Sequence, residues 1–231
     1  MDVAEFDKFA EEYRASHAQN IKISGEEPDY FARYKIDEVV RRWRDLGKAA
    51  PAAVLDFGTG IGNSLPYLKA AFPEAKLTGV DVSEKSLAVA GQRFPGTAEL
   101  VAYDGSNPPF EPGSFDLIFS ACVFHHIPQS EHVRLFSDLR KLLKPGGAAI
   151  IFEHNPVNPV TRYIVATCPF DENAVLIPAG DFVKRQREAG FAKVEAAYTG
   201  FFLGSLKALR PLERYMTAIP VGAQYYTVAH A

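Results

Sequence analysis

Residues 55–65 read "LDFGTGIGNSL", and the way this stretch turns decides the fold. The apolar run "AVLDF" (53–57) has the length of a buried strand, and "GNSLPYLKAAF" behind it has the spacing of a helix. Gly58, Gly60 and Gly62 let the connecting backbone adopt left-handed conformations and approach a ligand closely. Glycine spacing alone is weak evidence, because ordinary turns use glycine too. The neighbours narrow it. A dinucleotide fingerprint places Gly or Ala three residues after the second glycine, where this chain has Asn63. Asp56 adds a carboxylate at the root of the loop, which repels a pyrophosphate and welcomes an ammonium or sulfonium group. An NAD-dependent oxidoreductase is disfavoured on both counts.

The alternation continues along the chain. Strands are expected at 75–81 ("AKLTGVD"), 98–103 ("AELVAY"), 115–123 ("FDLIFSACV"), 148–154 ("AAIIFEH"), 194–202 ("VEAAYTGFF") and 223–231 ("AQYYTVAHA"). Helices are expected at 83–94, where Ser83 and Ser86 offer capping hydroxyls, at 130–147, stopped by Pro-Gly-Gly, and at 180–191. Strands alternating with helices imply a mostly parallel sheet covered on both faces. Its ligand lies beyond the strand C-termini at the switch point. Residues 1–231 read as a single α/β domain: a helical cover over 1–50, a Rossmann-like core over 51–231, and two insertions at 155–178 and 203–222. Both insertions are apolar yet broken by Pro and Gly, which suits lids over the strand ends.

Three carboxylates fall at adjacent strand tips. Asp81 ends the second strand about twenty residues after the loop and can accept both ribose hydroxyls; Asp104 ends the third and can take an exocyclic adenine amine. With Asp56 they describe a ligand having a cationic end, a ribose and an adenine, which is S-adenosylmethionine. The succession "VLDFGTGIG", "LTGVDVS", "YDGSNPPFEPGSFDLIFSACVFHH" and "LRKLLKPGGAAIIFE" over roughly residues 50 to 155 resembles the class I S-adenosylmethionine-dependent methyltransferases. The resemblance implies a seven-stranded sheet of order 3-2-1-4-5-7-6 with strand 7 antiparallel. It also implies contacts of Asp56 and of Gly58, Thr59, Gly60 and Gly62 with the amino-acid moiety, of Asp81 with the ribose and of Asp104 with the adenine. Val82, Gly105 and Ser120 complete the expected cofactor shell, with Tyr13, Arg33 and Tyr34 closing over it from the cover. Phe57 departs from the family, which more often has a smaller aliphatic residue there, so altered packing under the loop is expected.

"NPPF" (107–110) matches the tetrapeptide with which base-amino methyltransferases hold a target amine. In those enzymes it follows the fourth strand; here it precedes that strand and reads as a connecting turn, with Pro108 in place of a leucine. "EHNP" (153–156) is a weaker match still. The formal net charge of -3 is a poor start for gripping a polyanion, so no nucleic-acid partner is expected. Cys122 and Cys168 show no metal-ligand spacing and read as free thiols of a reducing compartment. No metal cluster is apparent and none is required. With no apolar run near 20 residues and an acidic N-terminus, a cytoplasmic protein without a membrane span is expected.

Methyl transfer is an in-line displacement in which positioning supplies most of the acceleration, roughly 7–11 kcal/mol. A base adds about 10²–10⁴-fold where the acceptor is a hydroxyl. His125 and His126 after the fourth strand, and Glu153 and His154 at the end of the fifth, are the candidate groups. Arg162 is a candidate partner for Glu153. Tyr163, Phe170, Phe201, Phe202, Tyr215 and Met216 in the insertions are candidates for an apolar acceptor pocket. The acceptor is expected to be small or amphipathic, a quinone, lipid or sugar-bearing intermediate, with O-methylation preferred. A non-catalytic S-adenosylmethionine-binding partner or regulator is the alternative.

Overall fold

The computed structural model of the chain describes residues 25–231; Tyr13 and the first part of the helical cover lie outside the described residues. Strand β1 (Ala53–Phe57) lies between β2 (Lys76–Asp81) and β4 (Phe115–Ala121), all three parallel. β2 pairs onward with β3 (Glu99–Ala102), and β4 with β5 (Leu143–His154). β7 (Gln224–His230) runs antiparallel between β5 and β6 (Lys193–Thr199). The order is β3-β2-β1-β4-β5-β7-β6, the one the resemblance implied. The chain walks outward from β1 to β3 and then crosses back to β4, so the switch point lies between β1 and β4.

Period-two alternation sorts the strand side chains onto two apolar faces. Val54, Phe119, Phe152 and Tyr226 pack with Ile36, Val39 and Trp43 of α1 (Pro28–Asp45) and Leu68 of α2 (Leu65–Ala71). On the other face Leu55, Phe57, Ile151 and Tyr225 meet Leu135, Phe136 and Leu139 of α4 (His132–Leu142) and Phe182 of α6 (Ala179–Glu188). Burying each such Leu or Phe stabilises the fold by roughly 1.5–3 kcal/mol. Phe57 is buried beneath the glycine loop, its ring centroid 5.9 Å from that of Tyr103 and 6.1 Å from that of Phe124. Between β2 and β3, α3 (Glu84–Arg93) starts at Ser83, whose hydroxyl accepts the Ser86 N–H at 3.0 Å.

Two boundaries differ from the sequence expectation. Helix α4 ends at Leu142, and Pro145, Gly146 and Gly147 open β5 instead of stopping a helix. A register shift between Phe115 and Leu117 absorbs them, with Gly146 at φ +78. Asp116, inside that shift, accepts the N–H groups of Ala52 and Ala53 and pairs with Lys144 at 2.8 Å, fastening three strand entries. β6 stops at Thr199, short of Phe201 and Phe202, because those two backbone N–H groups turn to a side chain.

That side chain is Glu213, and it organises the second insertion. The insertion is a kinked 3-10 segment, Gly204–Tyr215, with Pro211 inside. Glu213 Oε1 accepts the N–H of Phe201 and of Phe202, each at 3.0 Å, and Oε2 accepts the Tyr34 hydroxyl at 2.8 Å. Tyr34 also bonds Thr199 Oγ1, so α1, the end of β6 and the insertion meet at one carboxylate. The first insertion carries α5 (Pro159–Thr167) and a 3-10 turn, Pro169–Asp171. Asn155 Nδ2 donates to the carbonyls of Pro220 and Gly222, and Asn158 Nδ2 to that of Val221, which ties the first insertion to the second. Removing the Glu213 carboxylate strands donors at about 1–3 kcal/mol each. Glu213→Ala is expected to lower Tm by about 10 °C, as a loss of about 3 kcal/mol implies for a chain of this size, while Glu213→Gln, which keeps an acceptor oxygen, loses less. Thermal unfolding followed by circular dichroism checks both, and an unchanged Tm in the alanine variant would remove the hub.

Candidate active site

The loop after β1 is held by backbone first: the N–H groups of Gly58 and Thr59 both bond the Val80 carbonyl, at 2.8 and 3.1 Å. Gly58 sits at φ +76, and a Cβ there would lie 2.3 Å from Val123 Cγ2, so loop and β4 tip leave room for glycine alone. Asp81 then fixes the crest: Oδ2 accepts the Gly60 N–H at 2.8 Å and Oδ1 the Ser83 N–H at 2.9 Å. A carboxylate has about four lone-pair sites, and with the Val82 N–H also directed at this group about one remains for a ligand hydroxyl. Asp56 is 3% exposed and accepts the Thr59 hydroxyl at 2.8 Å. Among the described residues it has no cationic partner within ion-pair distance. Burial pushes its carboxyl up to about 7, Thr59 pulling it down and the Asp81 charge adding to the rise. A buried carboxylate left without a counter-charge at a cavity wall fits a cationic ligand end.

That cavity, about 320 Å³, lies over the strand tips beneath α1, α5 and the second insertion. Its volume is within the range of small-molecule sites. The far wall is built on β4 and β5. Glu153, 1% exposed, accepts the N–H of Val123 at 3.1 Å and of Phe124 at 2.8 Å on Oε1; its Oε2 lies 2.6 Å from His125 Nδ1. His125 Nε2 and His126 Nε2 are each 3.4 Å from Asp171 Oδ1, in the turn after α5. The Val175 N–H closes on the His125 carbonyl at 2.8 Å, a second tie between first insertion and strand tip. His154 stands beside them, its ring centroid 5.2 Å from that of His125.

Charge in this wall is tightly shared. Burial alone would lower the His125 ring, but the Glu153 and Asp171 carboxylates outweigh it and raise it well above the ordinary imidazole range. Burial and the neighbouring His125 charge push His126 down to about 4, so that ring is neutral. Burial opposes ionisation of Glu153 and Asp171 as well, and the imidazoles hold both below the usual carboxylate range. Cys122 sits at φ +60, in the left-handed region, which a side chain tolerates only where its surroundings hold it. Burial would raise its thiol; His154 and Lys35 bring it down to about 7.

Of the residues expected from sequence, Asp56, Gly58, Thr59, Gly60, Asp81, Val82, His125, His126 and His154 line this one cavity. Gly62 backs the loop at φ +79, packed against Ala90. Others are not brought there. Arg33 is exposed and pairs with Asp37 one helical turn on, because its position faces outward on α1. Tyr34 and Lys35 on the inner side line the cavity instead. Asp104 is exposed and caps its own turn, accepting the Ser106 N–H at 2.8 Å, and Gly105 is likewise off the wall. Ser120 is buried within the sheet, its hydroxyl without a hydrogen-bond partner among the described residues. Glu153 stands behind the wall and pairs with His125, not with Arg162, which is exposed. Of the lid aromatics Phe202 lines the cavity, while Tyr163 and Tyr215 are exposed, at 61% and 72%. "NPPF" is a turn, the Phe110 N–H bonded to the Pro108 carbonyl at 2.9 Å and its ring edge-on to Phe115.

Lys35, Asp171 and Gln224 also line the cavity and were missed. Lys35 is one residue from Tyr34, so the helical period carried a signal. Asp171 in "PFDE" had none, since it sits in a short 3-10 turn and its contact to the histidines bridges 45 residues of sequence.

Comparison with known proteins agrees with this architecture. A methyltransferase-domain family matches residues 54–147. The trans-aconitate 2-methyltransferase of Methylobacterium nodulans is 36% identical over 155 residues, covering 65% of this chain and 57% of that protein. The demethylmenaquinone methyltransferase of Thermotoga maritima is 36% identical over 108 residues, covering 47% of this chain and 46% of that protein. The chain thus spans about half the length of these curated relatives. A crystal structure from Thermotoga maritima, described as an S-adenosylmethionine-dependent methyltransferase and possible histamine N-methyltransferase, superposes with a TM-score of 0.69 over 98% of both chains at 18% identity, a likeness of fold. Among the described residues no helix is long and apolar enough to cross a membrane. Residues 54–147 thus match a methyltransferase domain, and the sheet order and glycine loop around it are those of the class I S-adenosylmethionine-dependent methyltransferases.

Proposed function

We propose that the chain transfers the methyl group of S-adenosylmethionine to an oxygen of a small anionic acceptor, a carboxylate in the first instance. Asp56 and the 58–62 loop hold the cationic amino-acid end, Asp81 the ribose, and Val82 lies against the nucleoside. Asp104, Gly105 and Ser120 do not line the cavity; a direct part for Asp104 and Gly105 requires the 104–107 turn to move, and Ser120, buried in β4, is given none. The observation that carries the acceptor is Lys35. Its ammonium lines the cavity, lowers the Cys122 thiol and has no hydrogen-bond or ion-pair partner among the described residues. A cation and a carboxylate in one cavity, each without an ion-pair partner among the described residues, give it a seat for an anion and a seat for a cation. The trans-aconitate 2-methyltransferase likeness supports the same acceptor class.

A carboxylate oxygen is already a nucleophile. It attacks the methyl carbon, the carbon–sulfur bond breaks with its electron pair on sulfur, and a methyl ester and S-adenosylhomocysteine result without a proton transfer. His125, His126 and His154 then orient the acceptor, and Glu153 positions His125; none has to act as a base. A hydroxyl acceptor would restore that demand, and His126, uncharged, is then the ring that accepts the proton.

S-adenosylhomocysteine release is the measurement, with small di- and tricarboxylic acids, quinols and primary amines as acceptors. Turnover is expected with the acids, and Lys35→Met is expected to raise the acceptor KM about tenfold or more with S-adenosylmethionine affinity unchanged. Turnover with amines alone would overturn the acceptor class, and cofactor binding with no turnover on any of them would favour a non-catalytic partner. Asp56 gives a second expectation. With its carboxyl raised to about 7 in the free protein, a cationic ligand must displace a proton below that pH. S-adenosylmethionine affinity is expected to fall about tenfold from pH 8 to pH 6, and calorimetry in two buffers should register proton release. The same raised value stabilises the unliganded fold at low pH and loses that contribution as pH rises through 7. Asp56→Asn should flatten the binding profile, and an unaltered profile would free Asp56 of this role.

A further inference from the structure

Methyl transfer to a carboxylate asks only orientation of His125 and His126, and it assigns nothing to the Asp171 carboxylate that faces both rings. We propose that these three side chains form a binding site for one divalent transition-metal ion of the zinc type, with two imidazoles and one carboxylate as ligands and an open position facing the cavity.

Three features carry this. The first is spacing. Asp171 Oδ1 is 3.4 Å from His125 Nε2 and 3.4 Å from His126 Nε2. A carboxylate bound directly to a charged nitrogen settles at about 2.7–2.9 Å, and it chooses one partner. Ligands about 2.0–2.1 Å from a tetrahedral zinc ion stand about 3.3–3.5 Å from one another, and both distances fall there. All three ligand atoms lie within 4.8 Å of one another, close enough for one ion to draw them together.

The second feature is the support behind the ligands. A metal-bound histidine usually donates its other ring N–H to a carboxylate, which fixes the tautomer and leaves the ligating lone pair aimed at the ion. His125 has that arrangement, with Nδ1 2.6 Å from Glu153 Oε2 and Nε2 toward Asp171. Glu153 is itself held by two backbone N–H groups, so the ring's orientation is built into the sheet.

The third feature is position. Both histidines and Asp171 line the cavity, which leaves the remaining coordination position for water or an oxygen of a bound molecule. The ion would bridge the β4 tip to the first insertion, where the bond from Val175 to the His125 carbonyl already brings the two together. Imidazole with carboxylate suits zinc and its neighbours better than magnesium or calcium, which prefer oxygen ligands alone. Metal and proton compete for His125 Nε2, so uptake weakens as the solution is acidified.

The test is read on the protein alone, without turnover. Full-length chain freed of metal by chelation is titrated with Zn²⁺ and, as a spectroscopic substitute, Co²⁺. One equivalent is expected to bind, with a visible Co²⁺ ligand-field band that Zn²⁺ displaces. Asp171→Asn and His126→Gln are each expected to weaken uptake at least tenfold, and Glu153→Gln by about 10–100-fold. Cys122→Ser should leave it unchanged. X-ray absorption on the loaded wild-type chain should find nitrogen and oxygen neighbours at about 2.0–2.1 Å and no sulfur, a readout that stands even if a variant fails to fold. Absence of uptake by the wild type, uptake indifferent to Asp171 and His126, or a sulfur neighbour would each overturn the site.

Discussion

Glu153 is the constraint on which the working end of the molecule depends. It is the penultimate residue of a central strand, buried to 1% exposure, and its three partners are two backbone N–H groups of one short turn and one ring. The parallel register that sets Phe152 opposite Ala121 brings this carboxylate against the turn that follows β4. There its oxygens replace water for the Val123 and Phe124 N–H groups and for His125. A buried carboxylate is costly unless its lone pairs are filled, and here filling them dictates the shape of the turn. The left-handed Cys122, the placement of both histidines and the reach of Asp171 follow from it.

The molecule divides its charges by strand. β1 and β2 present carboxylates to the cavity, β4 and β5 present imidazoles, and α1 lays Lys35 over the top. The carboxylates and imidazoles lie on the carboxyl edge of the sheet because each sits at, or just past, the end of a parallel strand. The antiparallel β7 serves the same end: by returning between β5 and β6 it places the 200–223 connection on that edge too. Glu213 and Asn155 then fasten the two insertions into a common cover.

How much of this the chain disclosed beforehand depended on the range of the interaction. Asp56, the 58–62 loop and Asp81 act on neighbours one strand away, and the local pattern of strand, glycine turn and helix located them. The sheet order came from resemblance, since periodicity gives strands but not their arrangement. Asp104 misled because a carboxylate at a strand tip has two uses, to meet a ligand or to cap its own turn, and Ser106 and Asn107 supply the turn. Arg33 misled by one residue: on a helix, a single step rotates the side chain about 100°, enough to exchange the inner Tyr34 for solvent. Asp171 and Glu213 were beyond reach because each contacts partners through irregular chain, where no period exists to be read.

Asp56 also separates what makes this protein durable from what makes it useful. The carboxylate is desolvated, has no counter-ion among the described residues and shares its field with Asp81, so it stands as a frustrated charge. Selection for thermal resistance alone would erase it first, trading the acid for an amide or a small apolar residue. Its retention in the sequence sets the resting protein below the stability its fold can reach, and leaves that margin for a ligand to restore on arrival.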